Sequence, residues 1–410
     1  MYDEISVLGL RVTNFCNLNC KYCYQHEYVK NETTKFTDYK ALNKFLIKLP
    51  LAPRVSFMLS GGEPSLAVDE LRNACKQLNK VRRYKDTKFC YNVFTNGSKL
   101  KELIGLMDEG YIEPYFFHLS WDGLHSASRS RLVKNKAYDD EFFNKNIKYL
   151  GTLCNEYREG INIRTAATRD TIDELFDDYR FVVENGCKHW EYYVINDEKV
   201  FEEDDFISKT EEQLRKIFLY AREHKIAEYI INIENMLYMC YKDIKMDFQS
   251  RRRWVTCRHL GATLFFNPQG EIFPCSLSDD ISKVHDEDTN FGNIYDGLDK
   301  TKMENFVADY NKPPSCGMMY KGKPCHALHC FECMVTCKHC AGSLESKLRN
   351  QCELRHMEMR LFKEIFLDTG YKFDSAALNQ FESIRFNELD YNPVLNPNLP
   401  FKENKTNDNT

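Results

Sequence analysis

The chain has 410 residues, of which 43% are hydrophobic and 29% charged, as expected of a globular protein with two or three domains. The formal net charge of −5 does not demand a polyanion-binding surface, and no stretch approaches about 18 apolar residues, which excludes a transmembrane helix. The first residues lack the basic and apolar regions of a signal peptide, so we expect a cytoplasmic protein. Seventeen cysteines in a reducing cytosol favour metal or iron–sulfur ligation over disulfides.

The first 225 residues alternate segments typical of strands with segments typical of helices. Runs rich in β-branched and aromatic residues predict strands near 6–13, 54–60, 87–95, 114–120, 160–168 and 188–195. Amphipathic stretches predict helices near 37–49, 66–80, 98–109, 139–152, 171–185 and 208–224. Strands separated by helices of this length indicate an α/β fold with a parallel sheet, and they place any chemistry at the carboxyl ends of the strands. Periodicity alone leaves open whether the sheet forms a partial barrel or an open, doubly wound sheet.

The alternation stops near residue 225, and cysteines become dense from residue 257 onwards. Two extended runs flank a turn signal at residues 267–270, so residues 263–275 predict a β-hairpin, and a helix is predicted near 353–368. The order of the cysteine-rich region is expected to depend on bound metal. The predicted parts are a parallel-sheet domain at 1–225, a helical bridge at 226–256, a cysteine-rich domain at 257–352, a C-terminal helical segment at 353–388 and an extended or disordered tail at 389–410.

Three cysteines follow the first predicted strand in the arrangement Cys16-x3-Cys20-x2-Cys23. A loop at that point can bring three thiolates around one metal cluster at the mouth of the sheet. Cubane iron–sulfur clusters are usually held by four cysteines, so three would leave one iron open for a small chelating molecule. From composition alone the spacing is suggestive, and a zinc knuckle or a set of buried thiols is the alternative.

With Tyr22 before its last cysteine, the triplet resembles the CxxxCxxC motif of the radical S-adenosylmethionine (radical SAM) enzymes. Further segments, each at a predicted strand end, resemble other motifs of that family. The resemblance covers about residues 6–225 and implies a (β/α)6 partial TIM barrel. The further segments are Ser60-Gly61-Gly62-Glu63-Pro64, Thr95-Asn96-Gly97 and Ser120-Trp121-Asp122-Gly123.

The resemblance also implies the cofactors. A [4Fe–4S] cluster would be bound by Cys16, Cys20 and Cys23, and its fourth iron would chelate the amino and carboxylate groups of S-adenosylmethionine. An external one-electron reductant, such as a flavodoxin- or ferredoxin-like protein, would drive cleavage of the cofactor to methionine and a 5′-deoxyadenosyl radical. The residues implied to bind the cofactor are Tyr22, Ser60, Gly61, Gly62, Glu63, Asn96, Ser120, Asp122 and Arg131.

Within this set the resemblance assigns separate roles. Glu63 is expected to accept hydrogen bonds from the methionine ammonium, while the paired glycines let the backbone approach a ligand closely. Ser120 and Arg131 are expected near the ribose and the carboxylate of the cofactor. Asp122 is expected to shape the turn.

Nine more cysteines lie between residues 257 and 352, which exceeds the four that one cluster needs and suits two auxiliary [4Fe–4S] clusters. The spacing from Cys257 through Gly270 to Cys275 resembles the opening of the SPASM extension of radical SAM enzymes, and so does the later segment 291–294. Downstream, only one C-x2-C pair keeps the familiar pattern, so the partition of ligands between clusters stays open, with one cluster or zinc as alternatives. The predicted ligands are Cys257, Cys275, Cys316, Cys325, Cys330, Cys333, Cys337, Cys340 and Cys352.

SPASM-bearing radical SAM enzymes mostly modify peptides or proteins, so the resemblance implies a maturase that abstracts a hydrogen from such a substrate. We expect a thioether or carbon–carbon crosslink, or similar tailoring, in a ribosomally made peptide, with no membrane or nucleic-acid partner. Because the triplet begins at residue 16, we expect no winged-helix leader-binding domain before it.

Two alternatives stay open. The first is an anaerobic sulfatase-maturating enzyme that forms formylglycine. It is disfavoured because Ser276 stands where those relatives carry Asp, and the nearby Asp279 and Asp280 are expected to be solvated. The second is a non-catalytic iron–sulfur or zinc scaffold or electron carrier. The sequence identifies no general base.

Overall fold

A computed structural model describes the chain over residues 5–23, 25, 34–129, 131, 137–195, 205–233, 236–237, 263–279, 289–311, 319–320, 323–324 and 349–374. The strands are β1 (Ile5–Thr13), β2 (Leu51–Gly61), β3 (Lys88–Thr95), β4 (Ile112–Ser120), β5 (Asn162–Ala167), β6 (Trp190–Val194), β7 (Thr263–Phe266), β8 (Ile272–Phe273), β9 (Gly292–Asn293), β10 (Gly297–Leu298), β11 (Met319–Tyr320) and β12 (Lys323–Pro324). The α-helices are α1 (Tyr39–Lys48), α2 (Val68–Leu78), α3 (Leu100–Asp108), α4 (Ser126–Arg129), α5 (Asp140–Gly151), α6 (Asn155–Gly160), α7 (Leu175–Glu184), α8 (Phe206–Glu223), α9 (Lys300–Asn311) and α10 (Arg349–Phe362).

Eight of the described strands form one sheet, in the order β6-β5-β4-β3-β2-β1-β7-β8. Strands β1 to β6 are all parallel, and each is linked to the next through helical segments. Their carboxyl ends therefore share one edge of the sheet, where a partial barrel of this type places its functional groups. The arrangement confirms the predicted α/β fold with a (β/α)6 partial barrel.

The alternation of side chains along the strands explains the two faces of this sheet. Phe57 and Tyr91 are buried on the helix-facing side, where the Tyr91 hydroxyl donates to Asn79 Oδ1 at 2.9 Å just after α2. On the opposite side, which we call the inner face, Ser56 and Met58 of β2 are only half-buried. The apolar core therefore lies between the sheet and its helices, and the inner face is left for polar groups.

The predicted hairpin is confirmed by β7 and β8, which pair antiparallel around the expected turn. The Asn267 side chain accepts from the backbone N–H groups of Gln269 and Glu271, each at 3.0 Å, and Gly270 takes a positive φ of +81°. The structure adds that β7 pairs in parallel with β1, at Gly9 opposite Phe265 among others. The hairpin thus extends the barrel sheet, while the predicted domain boundaries themselves stay predictions.

The C-terminal helix is also confirmed, as α10 followed by a π-helix at Lys363–Leu367. It packs on α8, where Arg360 Nη2 lies 2.6 Å from Glu211 Oε2 and Phe366 is fully buried. Within the described ranges, no helix is both long and apolar enough to span a membrane. The predicted tail and most of the predicted helical bridge lie outside those ranges.

Candidate active site at the carboxyl edge of the sheet

The cysteine loop, which we define as residues 14–23, leaves the carboxyl end of β1 and carries three half-buried thiols. Burial raises the pKa of Cys16 and of Cys20 to about 12, and the charge of Cys23 adds to both shifts. Cys16 and Cys20 therefore lie near Cys23, and these two thiols stay protonated unless a metal takes up the thiolates and releases the protons.

The chemistry of this donor set fits an iron–sulfur cluster, because thiolates from one short loop are the ligands that such clusters take. Across the described residues, no three His, Cys, Asp or Glu side chains are arranged to share a single metal ion. The fit of the triplet to a cluster therefore rests on the presence of three thiols in one short loop and on the effect of Cys23 on the pKa of the other two.

Gly61 and Gly62 lie directly against the cysteine loop. The backbone N–H of Gly62 donates to the Thr13 carbonyl at 2.9 Å, and that of Glu63 donates to the Phe15 carbonyl at 2.8 Å. A Cβ added to Gly61 would lie 2.3 Å from the Thr13 oxygen, and one added to Gly62 would lie 2.5 Å from the Phe15 oxygen. In this structure the close approach that the glycines allow is therefore an approach to the chain's own cysteine loop.

Glu63 holds the end of β2 to the end of β3. Its carboxylate is buried and accepts from the Ser65 N–H at 2.8 Å, from the Thr95 hydroxyl at 2.6 Å and from the Asn96 N–H at 2.6 Å. Burial raises the pKa of this carboxyl group, and the same hydrogen bonds oppose the shift. Oε1 accepts two of these hydrogen bonds and Oε2 accepts one. The predicted contact of Glu63 with an ammonium would therefore come in addition to this structural role.

Asn96 connects the end of β3 to the cysteine loop. Its Nδ2 donates to Asn17 Oδ1 at 3.1 Å, and Asn17 Nδ2 donates to the Ser98 hydroxyl at 2.8 Å. The Asn96 Oδ1 accepts in turn from the backbone N–H and the hydroxyl of Ser98. The loop between Cys16 and Cys20 is thereby fixed against the third strand end.

Asp122 connects the other side of the loop to β4 and β5. Its Oδ2 accepts from the Tyr22 hydroxyl and, at 2.8 Å, from Arg131 Nε, while its Oδ1 accepts from the Ala166 N–H at 3.0 Å. Arg131 Nη2 donates to the Ser120 carbonyl at 2.6 Å. Burial alone would lower the pKa of the Arg131 guanidinium, but Asp122, Tyr22 and Cys20 together outweigh it and the pKa is raised. Asp122 was expected to shape a turn within the cofactor site, and it also joins the cysteine loop, Arg131 and β5.

The structure thus brings most of the predicted cofactor-binding residues around one loop. Ser60 lies one residue before the end of β2, and Ser120 ends β4. Of the second cysteine group, only Cys275 has a described side chain: it is half-buried after β8, with its Sγ 3.2 Å from the Ser278 hydroxyl. Cys352 lies in α10, where only its backbone is described. Outside the described residues lie Cys257, Cys316, Cys325, Cys330, Cys333, Cys337 and Cys340.

The prediction that Asp279 is solvated is wrong. Its side chain is fully buried, and its Oδ2 lies 2.7 Å from Nη1 of Arg11, which is itself only 1% exposed on β1. Burial raises the pKa of Asp279, and the charge of Arg11 opposes that shift. A loop carboxylate becomes a core residue here because β7 brings its hairpin against β1, where Arg11 needs a counter-charge. Asp280 lies outside the described residues.

Sequence reasoning missed a cluster on the inner face of β3 to β6. The Arg164 guanidinium lies 4.8 Å and 4.4 Å from the ring centroids of Phe94 and Tyr193, and its Nε lies 3.2 Å from Glu191 Oε2. The Tyr193 hydroxyl donates to Glu191 as well. The sequence feature that could have revealed this cluster is the alternation of polar side chains along β5 and β6. We call this cluster the inner patch; its members are Phe94, His118, Asn162, Arg164, Glu191 and Tyr193.

Asn162 also contacts His118 within the inner patch. Its Nδ2 lies 3.1 Å from both His118 Nδ1 and Glu191 Oε2, so the amide links the two side chains. The His118 ring also stacks on Phe94, with centroids 4.3 Å apart.

Comparison with known sequences finds a family profile and several relatives. Residues 10–153 match the profile of the Radical SAM superfamily. The radical SAM cyclopropyl synthase TigE of Paramaledivibacter caminithermalis is 26% identical over 325 residues, which are 74% of this chain and 62% of that protein. A cysteine-type anaerobic sulfatase-maturating enzyme of Clostridium perfringens is 25% identical over 204 residues, 46% of this chain and 51% of the relative. The chain therefore spans less than two thirds of either relative.

Solved structures share the fold. The structure of anSMEcpe with bound AdoMet superposes with a TM-score of 0.62 at 19% identity, covering 89% of this chain and 97% of that one. SuiB of Streptococcus suis bound to S-adenosylmethionine superposes with a TM-score of 0.55 at 16% identity, covering 86% and 78%. These structures show the shared fold, and the profile match identifies residues 10–153 as the part of the chain that is similar to the Radical SAM superfamily.

Proposed function

We propose that this chain is a radical SAM peptide maturase, which abstracts a hydrogen atom from a peptide and installs a thioether or carbon–carbon crosslink or a similar modification. The observation that carries the proposal is the position of the cysteine loop at the carboxyl edge of the sheet, joined by hydrogen bonds to Asn96 and Asp122. The match of residues 10–153 to the superfamily profile implies a [4Fe–4S] cluster and S-adenosylmethionine.

Cys16, Cys20 and Cys23 would hold the cluster. When bound there, the cluster and S-adenosylmethionine supply a 5′-deoxyadenosyl radical that serves as the oxidant of the peptide. The residues of the chain would bind and orient the cofactor. Arg131 offers a buried cation to its carboxylate, and Glu63 offers a hydrogen-bond acceptor to its ammonium. The hydrogen bonds within the loop keep these groups in place before any ligand arrives.

We propose that the inner patch contacts the peptide. The Tyr193 ring is 39% exposed, yet its hydroxyl is bound by Glu191 and its face by Arg164, so it offers a large surface in a fixed orientation. Arg164 and Glu191 neutralise one another, which suits an uncharged segment of the substrate. Two proteins of this fold have been solved with peptides: SuiB bound to precursor peptide SuiA, and anSMEcpe with Cp18Cys peptide.

The second cysteine group is proposed to hold two auxiliary [4Fe–4S] clusters, supplied with electrons by an external flavodoxin- or ferredoxin-like donor. Cys275 supports this proposal, because its hairpin pairs with β1 and so brings a half-buried thiol to the sheet that carries the cysteine loop. The remaining eight cysteines of the group are proposed ligands on the strength of their sequence spacing.

Formylglycine formation is the second candidate, because a sulfatase-maturating enzyme is among the sequence relatives. The residues near Cys275 argue against it. Ser276 follows that cysteine, and the nearest described carboxylate downstream, Asp279, is buried in its pair with Arg11. A carboxylate so engaged is poorly placed to take a proton from a substrate.

Cleavage of the cofactor tests the proposal. We expect the anaerobically reconstituted and dithionite-reduced protein to convert S-adenosylmethionine to 5′-deoxyadenosine without added peptide. Serine variants of Cys16, Cys20 and Cys23 are expected to fall to background, whereas the variant of the exposed Cys154 keeps the activity. Cleavage that persists in the three variants contradicts the site, and an iron-loaded wild type without cleavage contradicts the enzyme class. A cysteine-containing sulfatase peptide, analysed by mass spectrometry for formylglycine, separates the two candidates.

A further inference from the structure

A buried ion pair lies behind the cysteine loop. The Asp122 carboxylate accepts from Arg131 Nε at 2.8 Å, from the Tyr22 hydroxyl and from the Ala166 N–H. The Arg131 carbonyl accepts from the Asn19 N–H at 3.3 Å. Asp122 is therefore linked to the loop through the side chain of Tyr22, and Arg131 is linked to it through its own backbone carbonyl.

Both charges lie beside thiols that the proposed cluster needs. Arg131 and Asp122 are each only 1% exposed. Asn19, which donates to the Arg131 carbonyl, directly precedes Cys20, and Tyr22, which donates to Asp122, directly precedes Cys23. The Nη1 atom of Arg131 is buried and has no hydrogen-bond partner among the described residues. A buried cation with an unused donor thus lies close to Cys20.

We propose that Arg131 and Asp122 are positioning residues that set the reduction potential of the cluster at Cys16, Cys20 and Cys23, with the cation raising the potential and the anion lowering it. This inference rests on the proposed function. Reduction adds one electron, so a nearby positive charge stabilises the reduced cluster and a negative charge destabilises it. A buried charge in an effective dielectric of about 20 acts roughly four times more strongly than one in water.

An EPR-monitored redox titration of the reconstituted holoenzyme, without S-adenosylmethionine, tests the proposal. The EPR signal of this cluster is identified as the part of the wild-type signal that is absent when Cys16, Cys20 and Cys23 are all replaced by serine. We expect Arg131→Met to lower the midpoint potential and Asp122→Asn to raise it, each by at least about 59 mV, a tenfold change for one electron. Arg131→Lys keeps the cation and is expected to restore most of the loss. Tyr22→Phe removes a hydrogen bond but no charge, so its shift should be smaller than either.

Lys21 provides the matched control, because it lies next to Cys20 in the same loop but is 49% exposed and paired with Asp170. Lys21→Met removes the same charge as Arg131→Met, and we expect about a quarter of the shift. Shifts of equal sign in Arg131→Met and Asp122→Asn, or shifts no larger than that of Lys21→Met, overturn the inference. If Arg131→Met loses its iron, Asp122→Asn and Arg131→Lys decide the question. A wild type that binds no cluster contradicts the proposed function instead.

Discussion

Asp279→Asn is expected to destabilise the protein by about 3 kcal/mol, because it removes the carboxylate charge that lies against the buried Arg11 guanidinium. The two side chains are 2.7 Å apart and at most 1% exposed, and removing one partner of such a pair costs about 3–5 kcal/mol. The contacts that Arg11 keeps include weaker ones with the Ser276 carbonyl at 3.4 Å and with the Phe265 ring at 5.6 Å. Because these contacts remain and the new amide can still accept a hydrogen bond, we expect the lower end of the range.

Urea unfolding at pH 7, followed by circular dichroism, measures this loss. The control is Glu141→Gln, which breaks an ion pair with Lys145 whose partners are 73% and 68% exposed, and it should cost no more than about 0.5 kcal/mol. The double variant Arg11→Met/Asp279→Leu removes both charges and is expected to recover most of the stability. A cost below about 1 kcal/mol for Asp279→Asn, or a double variant no more stable than the single one, refutes the reasoning.

Three further predictions concern single side chains. Gly62→Ala places a Cβ 2.5 Å from the Phe15 oxygen and should abolish iron binding by the cysteine loop, whereas Gly105→Ala, with open space around its Cβ, should leave the iron content unchanged. Burial raises the pKa of Asp178 to about 8, so the folded protein binds more protons than the unfolded chain, and stability is lost as pH rises from about 4 to about 8. Asp178→Asn should therefore be increasingly more stable than wild type across this range in thermal unfolding, and a constant difference contradicts the assignment. Tyr193→Ala should weaken peptide-dependent turnover at least tenfold, about 1.4 kcal/mol, and spare cofactor cleavage without peptide; equal losses in both assays contradict a contact with the peptide.

The amino-acid sequence determined the local features of this protein. The six strands and their helices were predictable because each has its own periodicity and turn signals, and the hairpin because residues 267–270 form a turn by themselves. The cysteine triplet and the Gly61-Gly62-Glu63 segment were recognisable for the same reason, since each is a short pattern of neighbouring residues. The parallel sheet then followed from the alternation of strands and helices, and it placed all these segments at one edge.

The tertiary structure alone decided which distant groups meet. Arg11 and Asp279 are 268 positions apart in the chain, and their pairing depends on β7 lying next to β1, which no local pattern specifies. The same holds for the Glu63 carboxylate, whose partners come from the neighbouring strand end. From the sequence, Asp279 was expected to be a solvated loop residue. Its burial could not be predicted, because the exposure of a side chain depends on how the chain packs and not on composition. Periodicity records how each segment can fold, whereas burial, charge pairing and hydrogen-bond partners are set by the contacts between segments.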